Sequence, residues 1–219
     1  MRAAILIACV LASVVLAACS ATRVPIGPPS TESTLPALPD QVSFGDGASS
    51  QARRLARAAE SQVGKTVLYD PAYVKLDYPG GDVPQERGVC TDVVVRAFRT
   101  LGVDLQVEVH EDMSAHFGAY PRAWGLAGPD SNIDHRRVPN LQTYLRRSGK
   151  EVKVGNSSEG YWPGDIVTWD VQGRPHIGIV STTPAPGGQR YCIVHNIGAG
   201  VRIEDRLFEF RITGHYRPL

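Results

Sequence analysis

The chain has little excess charge of either sign: 23 lysines and arginines face 22 aspartates and glutamates, a formal net charge of +1. That balance gives no electrostatic basis for binding nucleic acid or an acidic polymer. It also lacks a Gly-rich phosphate loop, a nucleotide motif and an internal repeat, so no cofactor is expected. In H-E-D-M-S-A-H the two histidines, His110 and His116, are six apart. Two ligands on one helix face need a spacing of four, so no metal site is expected there. Beyond the first 18 residues no stretch is apolar enough to cross a bilayer. What remains is ordinary in composition, with 42% hydrophobic and 21% charged residues over 219 positions. That is enough to build the core of one soluble domain.

The N-terminus departs from this pattern. Arg2 precedes the apolar run A-A-I-L-I-A-C-V-L-A-S-V-V-L-A-A, followed by Cys19 and Ser20. A charged start, a short apolar run and small residues before the break describe an export signal. Leu16-Ala17-Ala18-Cys19 resembles the lipobox of bacterial lipoproteins, which implies a signal over 1–18 and lipidation at Cys19. Ser20 stands where an inner-membrane retention aspartate would be, so the periplasmic face of an outer membrane is the expected address. Residues 19–48 are rich in Pro, Ser and Gly without helical period and read as a tether. As a flexible coil it would span roughly 30 Å. The folded domain is expected over 49–219, acting as a monomer.

Two of the four cysteines, Cys9 and Cys19, belong to this leader, leaving Cys90 and Cys192. In an exported protein these two could pair as a disulfide. Cys90 begins C-T-D-V-V-V-R-A-F, in which Val93, Val94, Ala97 and Phe98 recur at helical spacing. A helix is also expected over 50–64, with Leu55, Ala59 and Val63 on one stripe, and another over N-L-Q-T-Y-L-R-R-S. Residues 103–160 otherwise carry the weakest pattern. After Pro163-Gly164-Asp165 the period changes to short strands joined by tight turns. Helices first and strands later predict an α+β domain with N-terminal helices on a small antiparallel sheet.

Cys90 at a helix start is placed for a lowered thiol pKa, and it needs a base. His176 opens the strand H-I-G-I-V-S just after a turn. His195, in Y-C-I-V-H-N-I, shares a strand face with Tyr191 and Ile193, while Cys192 and Asn196 point the other way. Two histidines on neighbouring strands could serve as base and orienter. Asp165 and Asp92 read as structural residues, of a turn and a helix start.

In order, G-V-C-T-D-V-V-V-R-A-F, P-G-D-I-V-T-W, P-H-I-G-I-V-S and V-H-N-I-G resemble the NlpC-type cysteine peptidases, a papain-like superfamily. Y-P-G-G-D-V-P, H-E-D-M, N-I-D-H-R-R-V-P-N-L and G-H-Y resemble more closely a bacterial family catalogued as domain of unknown function 1287, over about residues 50–219. The resemblance implies Cys90 as nucleophile, His176 as general base and His195 as third residue, with Asn196 as its rival. It also implies Tyr78, in Y-x-G-G, as a helper of the oxyanion site beside the Cys90 N–H. An amide in cell-wall peptides is the implied substrate. Two features depart from the wider pattern: T-D follows the cysteine where S-G is common, and residues 103–160 lengthen the gap to His176. That segment is expected to wall or cover the groove, with His110, Asp112, His135 and Trp169 as candidate lining. The competing expectation is a non-catalytic envelope lipoprotein that binds a glycan, peptide or protein and holds a Cys90–Cys192 disulfide.

Overall fold

The computed structural model describes residues 47–219. The signal segment, Cys19 and the tether up to residue 46 lie outside them. The first helix, α1 (Ser50–Glu60), is capped by the Ser49 side chain, which accepts from the Ala52 N–H at 3.0 Å. It buries Ala52, Leu55, Ala56 and Ala59. It ends before Val63, which is exposed. Two-residue strands β1 (Leu68–Tyr69) and β2 (Arg87–Gly88) pair in parallel and lead into α2 (Cys90–Arg99).

Leu105, Val109 and Met113 are all buried at a spacing of four, so the weakly patterned segment does fold as a helix, α3 (Leu105–Ala115). Its N-cap Asp104 accepts from the Gln106 N–H at 3.1 Å. The expected helix near 140 is α4 (Val138–Arg147), with Pro139 in its first turn, where its missing N–H costs nothing.

Six strands form one antiparallel sheet in the order β3-β8-β4-β5-β6-β7. They are β3 (Glu151–Val152), β4 (Ile166–Val171), β5 (Arg174–Pro184), β6 (Tyr191–Asn196), β7 (Val201–Glu204) and β8 (Arg211–Tyr216). Gln172 and Gly173, both at positive φ, close the β4–β5 hairpin. Two such residues are what the right-handed twist of a tight hairpin requires. The domain is therefore α+β, as the pattern of elements predicts. One sheet face packs Ile177, Ile179 and Val194 against α1 and α2, forming the main core. The other buries Val167, Trp169, Val180 and Ile193 under Tyr161 and Leu207.

Asp165 is structural. Its carboxylate accepts from His215 Nε2 at 2.8 Å and from Arg217 at 2.7 and 2.9 Å, fastening the start of β4 to β8. Among the described residues no helix is long and apolar enough to cross a membrane.

Candidate active site

Cys90 is the first residue of α2, and the helix start is built around Asp92. The Asp92 carboxylate accepts from the Val89 N–H at 2.7 Å. It also takes a two-pronged ion pair from Arg136 at 2.9 and 3.0 Å. Both side chains are almost fully buried, at 5% and 2% exposure. Arg136 further donates to the carbonyls of Ala72 and Asp70, so one guanidinium ties α2 to the β1–β2 connection. The T-D variation and the D-H-R-R segment are thus two halves of one brace.

Cys90 sits in an open cleft of about 610 Å³ whose walls include Tyr69, Trp124, Arg136, Arg137 and Pro175. Tyr69 reaches it because the β1–β2 pairing sets Tyr69 opposite Gly88, two residues before the cysteine. Residues from the 103–160 segment form one wall, as expected. Its other predicted lining residues do not: among the described residues, none of His110, Asp112, His135 and Trp169 borders the cleft. His110 lies on α3 against the ring of Tyr78, 5.1 Å between centroids. Asp112 joins α3 to α4 through Arg147 at 2.8 and 3.1 Å. His135 is buried beneath the brace, and Trp169 lies under the sheet with its indole N–H on the Leu207 carbonyl at 2.9 Å.

Tyr78 also requires correction. Its loop is held at the far end of α2: the Gly81 carbonyl accepts from Arg99, and the Gly80 N–H donates to Asp104, each at 2.9 Å. A ten-residue helix is about 15 Å long, so this loop is anchored at the end of α2 opposite Cys90, and Tyr78 does not border the cleft. The tyrosine at the cleft is Tyr69.

The two strand histidines meet. His176 Nε2 and His195 Nδ1 are 2.9 Å apart, and both rings are buried. The β5–β6 register, Ile179 opposite Val194, makes them diagonal neighbours with Gly178 between. A Cβ on Gly178 would lie 2.6 Å from Ile193 Cγ2 and 3.2 Å from His195 Cβ, so the H-x-G spacing permits this approach. His195 Nε2 continues to Glu204 Oε2 on β7 at 3.1 Å, which in turn accepts from Arg206 Nε at 3.0 Å. Asn196 faces the other way, as strand alternation predicts. Its amide donates to the Gly88 carbonyl at 3.0 Å, pinning the loop ahead of Cys90.

Between the two halves, β5 runs along the thiol. Pro175 lines the cleft, and the Ile177 backbone N–H faces the thiol, favouring its charged form. No hydrogen bond joins Sγ to His176 among the described residues. Burial pushes the thiol up to about 12; the N–H groups of Ile177, Thr91 and Cys90 oppose this, and the Asp92 charge adds to it. The expected lowering by the helix start is therefore reversed. Burial likewise holds His176 down to about 3, with His195 and Arg206 contributing. The resting pair is thus a neutral thiol and a neutral imidazole.

Cys90 and Cys192 are both free. Cys192 lies four residues along β6 from Asn196, about 13 Å at the usual strand rise. Asn196 is the residue that touches the loop before Cys90, so the pair is beyond disulfide reach.

The model of a family described as a domain of unknown function (DUF1287) matches residues 56–218. The chain belongs to the DUF1287 family. A relative described as "Uncharacterized protein YijF", from Escherichia coli (strain K12), is 55% identical over 164 residues, covering 74% of this chain and 80% of that protein. Among solved structures, NlpC1 from Trichomonas vaginalis aligns over 81% of this chain at 12% identity, with a TM-score of 0.42. This DUF1287 chain spans about half of that structure's length, 48%. Tyr69, Glu204 and Arg136 are site residues that sequence reasoning missed. Tyr69 and Glu204 lie outside the quoted motifs that carry the chemistry, and Arg136 sits inside D-H-R-R without a partner visible from spacing.

Proposed function

We propose that this domain is a thiol hydrolase of the NlpC type that cleaves an amide bond through Cys90. The supporting observation is the juxtaposition of a helix-initiating cysteine, at an open cleft, with a strand carrying a hydrogen-bonded histidine pair. Cys90 attacks the carbonyl carbon while His176 takes the thiol proton. The oxyanion that forms is held by the Cys90 N–H and the Tyr69 hydroxyl, in the role that the resemblance gave to Tyr78. His176 returns the proton to the leaving amine, and water then hydrolyses the thioester by the same route in reverse. Both groups rest neutral, and neither histidine lines the cleft in the free protein, so the proton transfer requires His176 to approach Sγ once substrate is bound. Catalytic hydrogen bonds are often long or poorly aligned in free enzymes and tighten in the complex.

The resemblance to NlpC-type peptidases, together with the expected envelope location, favours cell-wall stem peptides as the amide substrate. Lipidation at Cys19 would tether the domain at the periplasmic face of the outer membrane, within reach of that material. The test is mass spectrometry of purified wall peptides after incubation with wild type and with Cys90→Ser. New amine and acid termini should appear with wild type alone; equal cleavage by Cys90→Ser would refute the mechanism.

A further inference from the structure

The histidine pair does not end at His195. His195 Nε2 lies 3.1 Å from Glu204 Oε2, and a carboxylate can only accept. The proton therefore sits on His195 Nε2, and in the neutral ring Nδ1 is left as an acceptor. The atom facing that acceptor, 2.9 Å away, is His176 Nε2, which must then donate. Within the pair, this assignment leaves His176 Nδ1 as the ring nitrogen with an uncommitted lone pair.

We propose that Glu204 is a positioning residue that sets the tautomers of both histidines, through its contact with His195, and so makes Nδ1 of His176 the base. The register supports it: Glu204 pairs with Ile193 across β6–β7, which puts it on the face that carries His195, one diagonal step away. Arg206 supports it too. Its Nε–H binds the same carboxylate oxygen at 3.0 Å, and its Nη1 is held by Glu209 at 2.5 Å. Burial alone would raise the Glu204 carboxyl, but the Arg206 hydrogen bond and charge, together with His195, bring it below its ordinary range. Glu204 is thus ionised at neutral pH, which rules out the reverse relay in which it would donate.

The catalytic consequence rests on the hydrolase reading, but the tautomer assignment does not. The experiment is two-bond ¹H–¹⁵N correlation spectroscopy of the ¹⁵N-histidine-labelled protein at neutral pH, with His176→Gln and His195→Gln for assignment. Wild type should show protonated Nε2 and bare Nδ1 on both rings. In Glu204→Leu, the Arg206 guanidinium is left as the nearest group to His195 Nε2. That nitrogen should lose its proton, and His176 should switch to the Nδ1–H form. Glu204→Asp should restore the wild-type pattern. On a cleaved substrate, Glu204→Leu should lose about 100-fold or more in kcat with KM within about threefold, since a wrong tautomer disables the base while binding survives. A His176 Nδ1–H signal in wild type, or unchanged tautomers in Glu204→Leu, would overturn the assignment. The wild-type spectrum decides even if the leucine variant fails to fold. Wild-type tautomers as assigned, combined with full cleavage by Cys90→Ser, would sink the hydrolase reading alone.

Discussion

The two halves of the site are buried to the same degree but held by different means. The helix half is locked by charge: Asp92 and Arg136 neutralise each other under α2 and fix the backbone that presents Cys90. The sheet half is locked by hydrogen-bond direction, with two neutral rings in series and the nearest charges, Glu204 and Arg206, partly exposed at its end. Damage to the first should appear as lost stability, and damage to the second as lost chemistry in a fold that survives.

The brace offers the harshest way to break this contrast. Arg136→Met keeps the bulk but strands the Asp92 carboxylate in the interior, and should cost about 3–5 kcal/mol in urea denaturation. A loss under about 1 kcal/mol would show that the pair is not the lock described here. On the sheet side, Gly178→Ala pushes a Cβ into Ile193 and His195. It should cost about 1–3 kcal/mol, the usual range for overpacking. The same variant should disturb the His176–His195 contact, and a histidine spectrum like that of wild type would argue against it.

Activity separates the two tyrosines. Tyr69→Phe should lower kcat about 10–100-fold at unchanged stability, by removing an oxyanion donor. Tyr78→Phe, at the far end of α2, should leave kcat within about twofold. The reverse result would restore Tyr78 to the role that the resemblance implies for it. The smallest effect concerns acid. Burial lowers His135 from the usual 6.5 to about 4, so the unfolded chain takes up its proton first as pH falls. The stability that neutral His135 contributes is present above about pH 6.5 and is lost as pH drops toward 4. Between pH 7.5 and 5.5 this amounts to about 1 kcal/mol. His135→Gln should flatten the denaturation midpoint over that interval by the corresponding amount.

Much of the sheet half was legible because strands expose their logic locally. Alternation alone separates His195 from Asn196, whereas the close strand approach at Gly178 shows only in the structure. The helix of Cys90 was equally readable from its apolar spacing. Partners distant in sequence were not. Tyr78 stands in the expected motif, yet a two-residue parallel pairing brings Tyr69, 21 positions ahead of the cysteine, to the cleft. His110 and Asp112 lie in a polar stretch that looked like lining but serves helix packing. A helix start alone points to a lowered thiol, but burial, which no local pattern displays, outweighs it and turns the shift upward.

Arg136 also bears on how such domains can be recombined. The segment between the cysteine helix and the β4–β5 hairpin contributes the guanidinium that neutralises the floor of the helix start, so it behaves as part of the chassis. A graft that exchanged it for a shorter connection from another thiol hydrolase would have to rewrite Asp92 in the same step.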